Sequence, residues 1–576
     1  MPDTGIKITA GKSYVAVIAG LICLTVSASA MPPHPDIYKP DRSDSTQRQA
    51  VMQQLKTMRL KGLDSPNDFF LTHLSSTRNQ PARATAGASF KILAILVEFT
   101  DQPASVEEVF FDSLIFHQAG RTIRDYFNKV SNGQIDLVTT CLPSQTGWQT
   151  APNPYSYYTD GAFGTGDYPR NSQRLVLDLV NQVDSQVDFS DYDNDGDGYV
   201  DILLVIHSGS GAEFTRDSDD IWSHKWVIPT TSKDGVYLRD YTIQPEFWTD
   251  PGDMTIGVYC HELSHGFGLP DLYDTDGSSY GIGYWGIMAY GSWNGPGNRG
   301  GSPAHYCAWS KLQLGLVNVV DITSTHNNLA VAAVETSSTV YRLRTSGMAA
   351  NEYFLIENRQ PYDYDACLPS SGLLIWHIDD GKTTNRDEWY PGLATSQHYL
   401  VALEQADGLF DLERKYDFGD TGDPFPGSTN KTSFNAATVP DNSSYFYGTS
   451  GFTIDNISAS DSVMYLDIII DFSASLDNPD NLLPRRIELS QNYPNPFNPQ
   501  TRIEFSTTTS GWGQLEIFNA LGQKVSTAYE GYIAAGTTTL YWDARSEDNT
   551  PLASGVYFYR LSLGPDSAVK KMLLIR

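Results

Sequence analysis

The sequence predicts a multidomain protein in which an α/β domain is followed by a β-rich domain and a small C-terminal β-sandwich. Three observations carry this. The chain has 576 residues, more than a single hydrophobic core organises, so three or four folded units are expected. Between residues 89 and 320, apolar runs of strand length alternate with helical segments; beyond Asp321 the pattern becomes short alternating strands broken by turn residues. With 40% hydrophobic and 12% aromatic residues, the composition is that of a globular protein.

Lys7 and Lys12 precede an apolar run from Tyr14 to Val26 and then Ala28-Ser29-Ala30. This is the order of a secretory signal peptide, assigned to residues 1–30 and cleaved before Met31. Cys23 belongs to the apolar run, because Ile22 before it is too bulky for a lipoprotein cleavage site. Residues 31–88 are polar and rich in Pro, Arg and Ser, with one helical patch near Arg48 to Leu60; they read as a propeptide or, more plainly, a linker. No later stretch approaches the roughly 20 apolar residues needed to cross a bilayer, so no membrane span is expected in the mature form. Cys141, Cys260, Cys307 and Cys367 permit two disulfides in an exported chain without fixing a pairing.

Within 89–320, Phe90 to Phe99 and Ile202 to His207 read as buried strands, and Ile115 to Val130 and Asn171 to Val183 as helices. A β-rich domain is expected over 321–473, with strands at Thr339 to Arg344, Tyr353 to Glu357, Gly372 to Ile378 and Tyr399 to Leu403. A linker at 474–485 leads to a sandwich at 486–576, with strands at Arg502 to Phe505, Gly513 to Phe518, Thr538 to Trp542 and Gly555 to Leu561. The net charge of −29 argues against nucleic acid and anionic membranes as partners. It suits a soluble exported protein that carries divalent cations.

The chemistry concentrates in His261-Glu262-Leu263-Ser264-His265, inside an apolar helical stretch from Met254 to Phe267. Histidines at i and i+4 leave one face of a helix a turn apart, which suits two imidazoles on one tetrahedral zinc. Glu262 then stands beside the metal without binding it, placed to take a proton from the attacking water and return it to the leaving amine. Gly266 and Gly268 stop the helix, and Asp271 completes HExxHxxGxxD as the leading third ligand. A rival arrangement needs a glutamate on a later helix, but no acidic residue lies between Asp276 and Asp321. Asp274, Asp276 and His305 are poorer alternatives, and a helix-stop turn is the bland reading of Asp271. This chemistry makes 31–88 a propeptide that keeps an exported hydrolase latent.

Asp193, Asp195, Asp197 and Asp201, with the Tyr199 carbonyl, have the alternate-position oxygen pattern of a structural calcium loop; a solvated acidic turn is the plain alternative. Asp407, Asp411, Asp420 and Asp423 are a more irregular candidate for a second cation site.

Downstream, Tyr284-Trp285-Gly286-Ile287-Met288-Ala289-Tyr290 resembles the Met-turn of metzincin peptidases, with Met288 flooring the site. Tyr290 is a candidate donor to the oxyanion, against a reading of core packing for both residues. The motif HELSHGFGLPDLYD, the Met288 turn with Gly291-Ser292-Trp293, and Asp220-Ile221-Trp222-Ser223-His224 together resemble immune inhibitor A-like metallopeptidases. Glu357-Asn358-Arg359, Ile375-Trp376-His377 and Gln405-Ala406-Asp407-Gly408 extend the likeness. The resemblance implies a zymogen with an α/β metzincin-like catalytic domain and endopeptidase activity on proteins. It also implies latency through an acidic propeptide residue, for which Asp36 is a loose counterpart. At the C-terminus, Gln491 to Pro499, Gly522, Trp542-Asp543, Ser554 to Tyr557 and Lys570-Lys571 resemble the type A sorting domain of bacterial type IX secretion. That likeness implies an immunoglobulin-like β-sandwich, an outer-membrane secretion machinery as partner, and a secreted or cell-surface destination. The non-enzymatic alternative is a catalytically silent adhesion protein on a protease fold.

Overall fold

The computed structural model describes residues 29–38, 53, 88–470, 487–507, 511–519, 522–533, 536–547, 550–563 and 566–576. Most of the signal segment, the helical patch at Arg48 to Leu60 and the linker lie outside them. The chain divides into two compact units, Met1–Phe472 and Ser473–Arg576.

The strands of the first half are β1 (Ser29–Ala30), β2 (Ala88–Lys91), β3 (Leu93–Glu98), β4 (Ile135–Val138), β5 (Trp148–Thr150), β6 (Leu203–His207), β7 (His224–Lys233) and β8 (Val236–Pro245). Six of them form one sheet in the order β1-β7-β8-β6-β3-β5. β5, β3, β6 and β8 are parallel. β7 pairs antiparallel with β8, and β1 antiparallel with β7. The apolar runs Leu93 to Val97 and Leu203 to Ile206 are buried throughout, as expected of parallel strands covered on both faces.

The helices that frame the site are α1 (Glu108–Phe116), α2 (Ile123–Val130), α3 (Ser172–Val183), α4 (Gly257–Gly266) and α5 (Ala308–Gln313). The single helix expected from Ile115 to Val130 is two. Gly120 and Arg121 take φ of 96° and 64° between them, and Thr122 starts α2 by accepting the Asp125 N–H at 3.1 Å. Asn171 caps α3 in the same way through the Arg174 N–H. The strand expected from Phe90 to Phe99 likewise divides, with β2 leaving to pair with β4. The β7–β8 hairpin was not among the expected strands. Its sequence signal is Asp234-Gly235, both at positive φ, a turn pair that favours hairpins.

Beyond α5 come β9 (Asn318–Ile322), β10 (His326–Ala332), β11 (Thr339–Leu343), β12 (Glu352–Arg359), β13 (Gly372–Asp379), β14 (Val401–Leu403), β15 (Phe452–Asp455) and β16 (Val463–Ile470). They form a five-stranded sheet, β14-β13-β12-β11-β9, and a three-stranded one, β10-β16-β15. At the end of β12 the wholly buried Arg359 donates through Nε to Asp365 at 2.8 Å and through Nη1 to the Trp285 carbonyl at 3.1 Å. Glu357 stands 3.3 Å and Glu335 3.6 Å from the same guanidinium.

The second unit holds β17 (Ile487–Leu489), β18 (Thr501–Thr507), β19 (Gly511–Asn519), β20 (Lys524–Ile533), β21 (Gly536–Trp542), β22 (Gly555–Leu563) and β23 (Asp566–Leu574). Two antiparallel sheets, β17-β18-β21 and β20-β19-β22-β23, enclose one core that includes Ile503, Phe505, Leu515, Ile517, Tyr559 and Leu561.

Removing one partner of a buried ion pair leaves an uncompensated charge. Arg359→Met is therefore expected to cost about 3–5 kcal/mol of stability, read as a lower urea midpoint at unchanged slope.

Candidate metal centre and cleft

α4 runs behind β7 and β8, and every residue from Gly257 to His265 is buried. Its first turn requires glycine: a Cβ on Gly257 would meet the Ser292 carbonyl at 2.0 Å and the Gly300 Cα at 2.8 Å. Close approach of the helix to the 286–300 loops follows, and those loops orient the motif. His261 Nδ1 donates to the Ile287 carbonyl at 2.8 Å, and His265 Nδ1 to the Leu269 carbonyl at 2.7 Å. With the proton held at Nδ1, each ring turns an Nε2 lone pair inward.

The two Nε2 atoms lie 3.2 Å apart, and Asp271 Oδ1 lies 3.2 Å from each. Three acceptors facing one another in a buried site repel unless a cation stands among them. Bonds of about 2.0–2.1 Å at tetrahedral angles would separate ligand atoms by about 3.3 Å, so the donor set fits a zinc-sized ion. Asp274 is turned away and accepts Ser278 Oγ at 2.7 Å and the Ser279 N–H at 2.8 Å. His305 is tied through its backbone to Asp365 at 2.9 Å. Neither joins the cluster, which contains His261, His265 and Asp271.

Glu262 is fully buried, and neither of its oxygens has a hydrogen-bond partner among the described residues. Burial, with the charges of Asp271 and Glu213 adding to it, pushes this carboxyl well above the usual carboxylate range.

Met31 belongs to a segment that occupies the cleft. β1 extends the sheet at the edge of β7, with Ala30 opposite His224 and Ser29 opposite Lys225. The Met31 N–H donates to the Ser223 carbonyl at 3.1 Å. Trp222 Nε1 donates to the Met31 carbonyl at 2.8 Å, Trp293 Nε1 to the Pro32 carbonyl at 3.0 Å, and the Tyr273 hydroxyl to the Ala30 carbonyl at 2.6 Å. His34 packs edge-on against Trp293 and Phe214, and a short 3₁₀ turn follows at Pro35–Tyr38. The Asp36 N–H donates to His34 Nδ1 at 3.3 Å, and its carboxylate lies within charge range of Arg216. Sequence reasoning missed this placement, although it had singled out Trp222-Ser223-His224 on the opposite wall.

Tyr290, expected as an oxyanion donor, is buried and meets the Tyr38 hydroxyl at 3.1 Å. Its ring packs on Phe418, with centroids 4.6 Å apart. Met288 is buried behind the metal-facing residues, its carbonyl accepting the Leu272 N–H at 2.7 Å.

In the acidic loop, Asp193, Asp195 and Asp197 come together. Asp193 Oδ1 and Oδ2 accept the N–H groups of Gly196 and Gly198 at 2.8 and 3.0 Å, curling the loop. Asp201 stands apart from this trio, accepting the Asn194 N–H at 2.8 Å, with its carboxyl pushed up to about 6 by burial. Asp407, Asp411 and Asp420 also converge. Asp423 instead accepts Trp285 Nε1 at 2.8 Å and serves as a tether. Cys141, Cys260, Cys307 and Cys367 are free thiols.

Residues 107–317 match the family described as "Immune inhibitor A peptidase M6, catalytic domain", and residues 491–575 match "Secretion system C-terminal sorting domain". Immune inhibitor A of Bacillus thuringiensis subsp. alesti is 32% identical over 208 residues, 30% of this chain and 29% of that protein. The pre-pro-metalloprotease PrtV of Vibrio cholerae is 28% identical over 279 residues, 38% of this chain and 29% of that protein. The chain thus spans under a third of the length of these relatives. Among solved structures, PorZ of Porphyromonas gingivalis is 21% identical over 22% of this chain and 15% of its own, with a TM-score of 0.12, too slight a likeness to bear on the fold.

Asp271→Ala is expected to lose zinc on dialysis under conditions where the wild type keeps about one per chain, measured by metal analysis.

Proposed function

With a peptidase M6-type domain as the premise, we propose that the protein is a secreted zinc-dependent endopeptidase of extracellular proteins, made as a zymogen and exported through a type IX machinery. The observation that carries this reading is the cleft segment: Ser29 and Ala30 pair antiparallel with β7, and the Ala30 carbonyl accepts the hydroxyl of Tyr273, whose ring lies beside that of His261. A polypeptide substrate would bind in the same way, by adding a strand to the sheet edge.

His261, His265 and Asp271 hold the zinc, which when bound supplies a Lewis acid that activates water and polarises the carbonyl. Glu262 takes the proton of the attacking water and delivers it to the leaving nitrogen. Tyr290 exchanges its Tyr38 partner for substrate or water once the segment has left.

Latency follows from occupancy: residues 31–38, the part of the cleft segment left by signal cleavage before Met31, stay in the place of substrate until removed. The antiparallel β7 edge and the Met288 turn support a metzincin-like catalytic domain at 89–320, followed by the β-rich domain at 321–473. The two sheets around one core support an immunoglobulin-like sandwich at 486–576, beyond a linker at 474–485. Residues 1–30 act as the signal peptide and 31–88 as the propeptide. Among the described residues no helix is long and apolar enough to cross a membrane. A structural calcium ion belongs in the loop with Asp193, Asp195 and Asp197, supported by the Tyr199 carbonyl and by Asp201 from outside the trio. An adhesion role without catalysis is disfavoured, because Glu262 and all three metal-facing side chains are in place.

Casein digestion tests the function. The processed wild type should cleave, chelator should abolish cleavage, and Glu262→Ala should keep its zinc while losing about 10²–10⁴-fold in rate. A processed, zinc-loaded wild type without peptidase activity would turn the assignment toward the adhesion reading. Calcium should raise the melting temperature of the wild type but not of Asp195→Asn, followed by calorimetry.

A further inference from the structure

Resting on the peptidase reading, we propose that Tyr273 is a catalytic residue whose phenol stabilises the oxyanion formed at the scissile carbonyl. The cleft segment brackets one peptide bond, that between Ala30 and Met31. On its carbonyl side the Tyr273 hydroxyl donates at 2.6 Å. On its nitrogen side the Met31 N–H donates to the Ser223 carbonyl at 3.1 Å, which fixes the direction of the strand. The carbonyl contact is one that a peptidase must make with its substrate, a donor where negative charge develops, and the ring that makes it lies beside the metal-facing His261. The bracketed bond also lies in a strand paired with β7, so its direction is the one a substrate strand adopts there.

Tyr273 is built to hold this position. Its ring centroid lies 6.5 Å from that of His261, and the residue is 3% exposed. The backbone before it is clamped: the Leu272 N–H donates to the Met288 carbonyl at 2.7 Å, and the Leu272 carbonyl accepts the Ile282 N–H at 3.1 Å and Asn385 Nδ2 at 3.0 Å. Gly281, at φ 57°, permits that packing, since a Cβ there would meet the Leu272 carbonyl at 2.1 Å and the Tyr273 Cα at 2.6 Å. A donor held in this way need not reorganise as the carbonyl charges. Tyr290, by contrast, meets the Tyr38 hydroxyl, well along the segment from the bracketed bond.

In the step, water oxygen bonds to the carbonyl carbon and the carbonyl π pair moves to oxygen, where the Tyr273 O–H donates. Glu262 holds the water's proton. The C–N bond then breaks, its electron pair goes to nitrogen with that proton, and the carbonyl re-forms as a carboxylic acid that ionises in water.

The test compares processed, zinc-loaded wild type, Tyr273→Phe, Tyr290→Phe and Glu262→Ala on one fluorogenic peptide. Metal content and calorimetric affinity for a phosphinic peptide and for an uncleaved product peptide are measured alongside. Tyr273→Phe should keep its zinc and KM, lose about 10²–10³-fold in kcat, and lose phosphinate affinity by a similar factor while product affinity stays unchanged. Tyr290→Phe should lose far less. Unchanged kcat and phosphinate affinity in Tyr273→Phe would overturn the assignment, as would a larger loss in Tyr290→Phe or departure of zinc from Tyr273→Phe. Wild-type cleavage that disappears in Glu262→Ala keeps the peptidase reading standing however the two tyrosines compare, so the two failures are distinguishable.

Discussion

Three lone pairs, on His261, His265 and Asp271, are held about one tetrahedral edge apart in a dry interior, and the surrounding structure serves to keep them there. Neither histidine is oriented by its own helix. Each ring is turned by a backbone carbonyl from a neighbouring loop, Ile287 for one and Leu269 for the other. The Ile287 loop in turn is anchored by the β-rich region: Arg359 donates to the Trp285 carbonyl, Asp423 accepts the Trp285 indole, and the Phe418 carbonyl accepts the Tyr284 N–H at 2.7 Å. The strands after α5 thus supply the back wall of the metal centre, which explains why the two regions form one compact unit.

The metal-facing residues were legible because a helix converts i and i+4 into adjacency without help from the rest of the fold. Asp271 followed from a glycine-marked stop and from the absence of later acids. Buried strands such as β6, β12 and β13 were legible as apolar runs, with ends off by a residue or two. What escaped depended on contacts distant in sequence. The Trp222 indole meets the Met31 carbonyl across 191 positions, and no local pattern around either residue announces it. The join between α1 and α2 was hidden because apolar residues recur at helical spacing on both sides, while the break itself rests on Gly120 and Arg121. β7 alternates poorly: it is buried from His224 to Ile228 and open beyond Pro229, so it reads as neither a core strand nor a surface one. The Met-turn tyrosine drew attention through its family pattern, whereas Tyr273, inside the quoted motif, carries no signal of its own until a peptide lies beside it.

The pairing of β1 with β7 has a consequence outside catalysis. An edge strand without a partner offers a row of free amides and carbonyls to any other extended chain, and proteins that expose one tend to associate through it. Here Ser29 and Ala30 cover that edge at His224 and Lys225. Uncovered, those edge groups of β7 would be open to pairing with any other extended chain, a second copy of this one included.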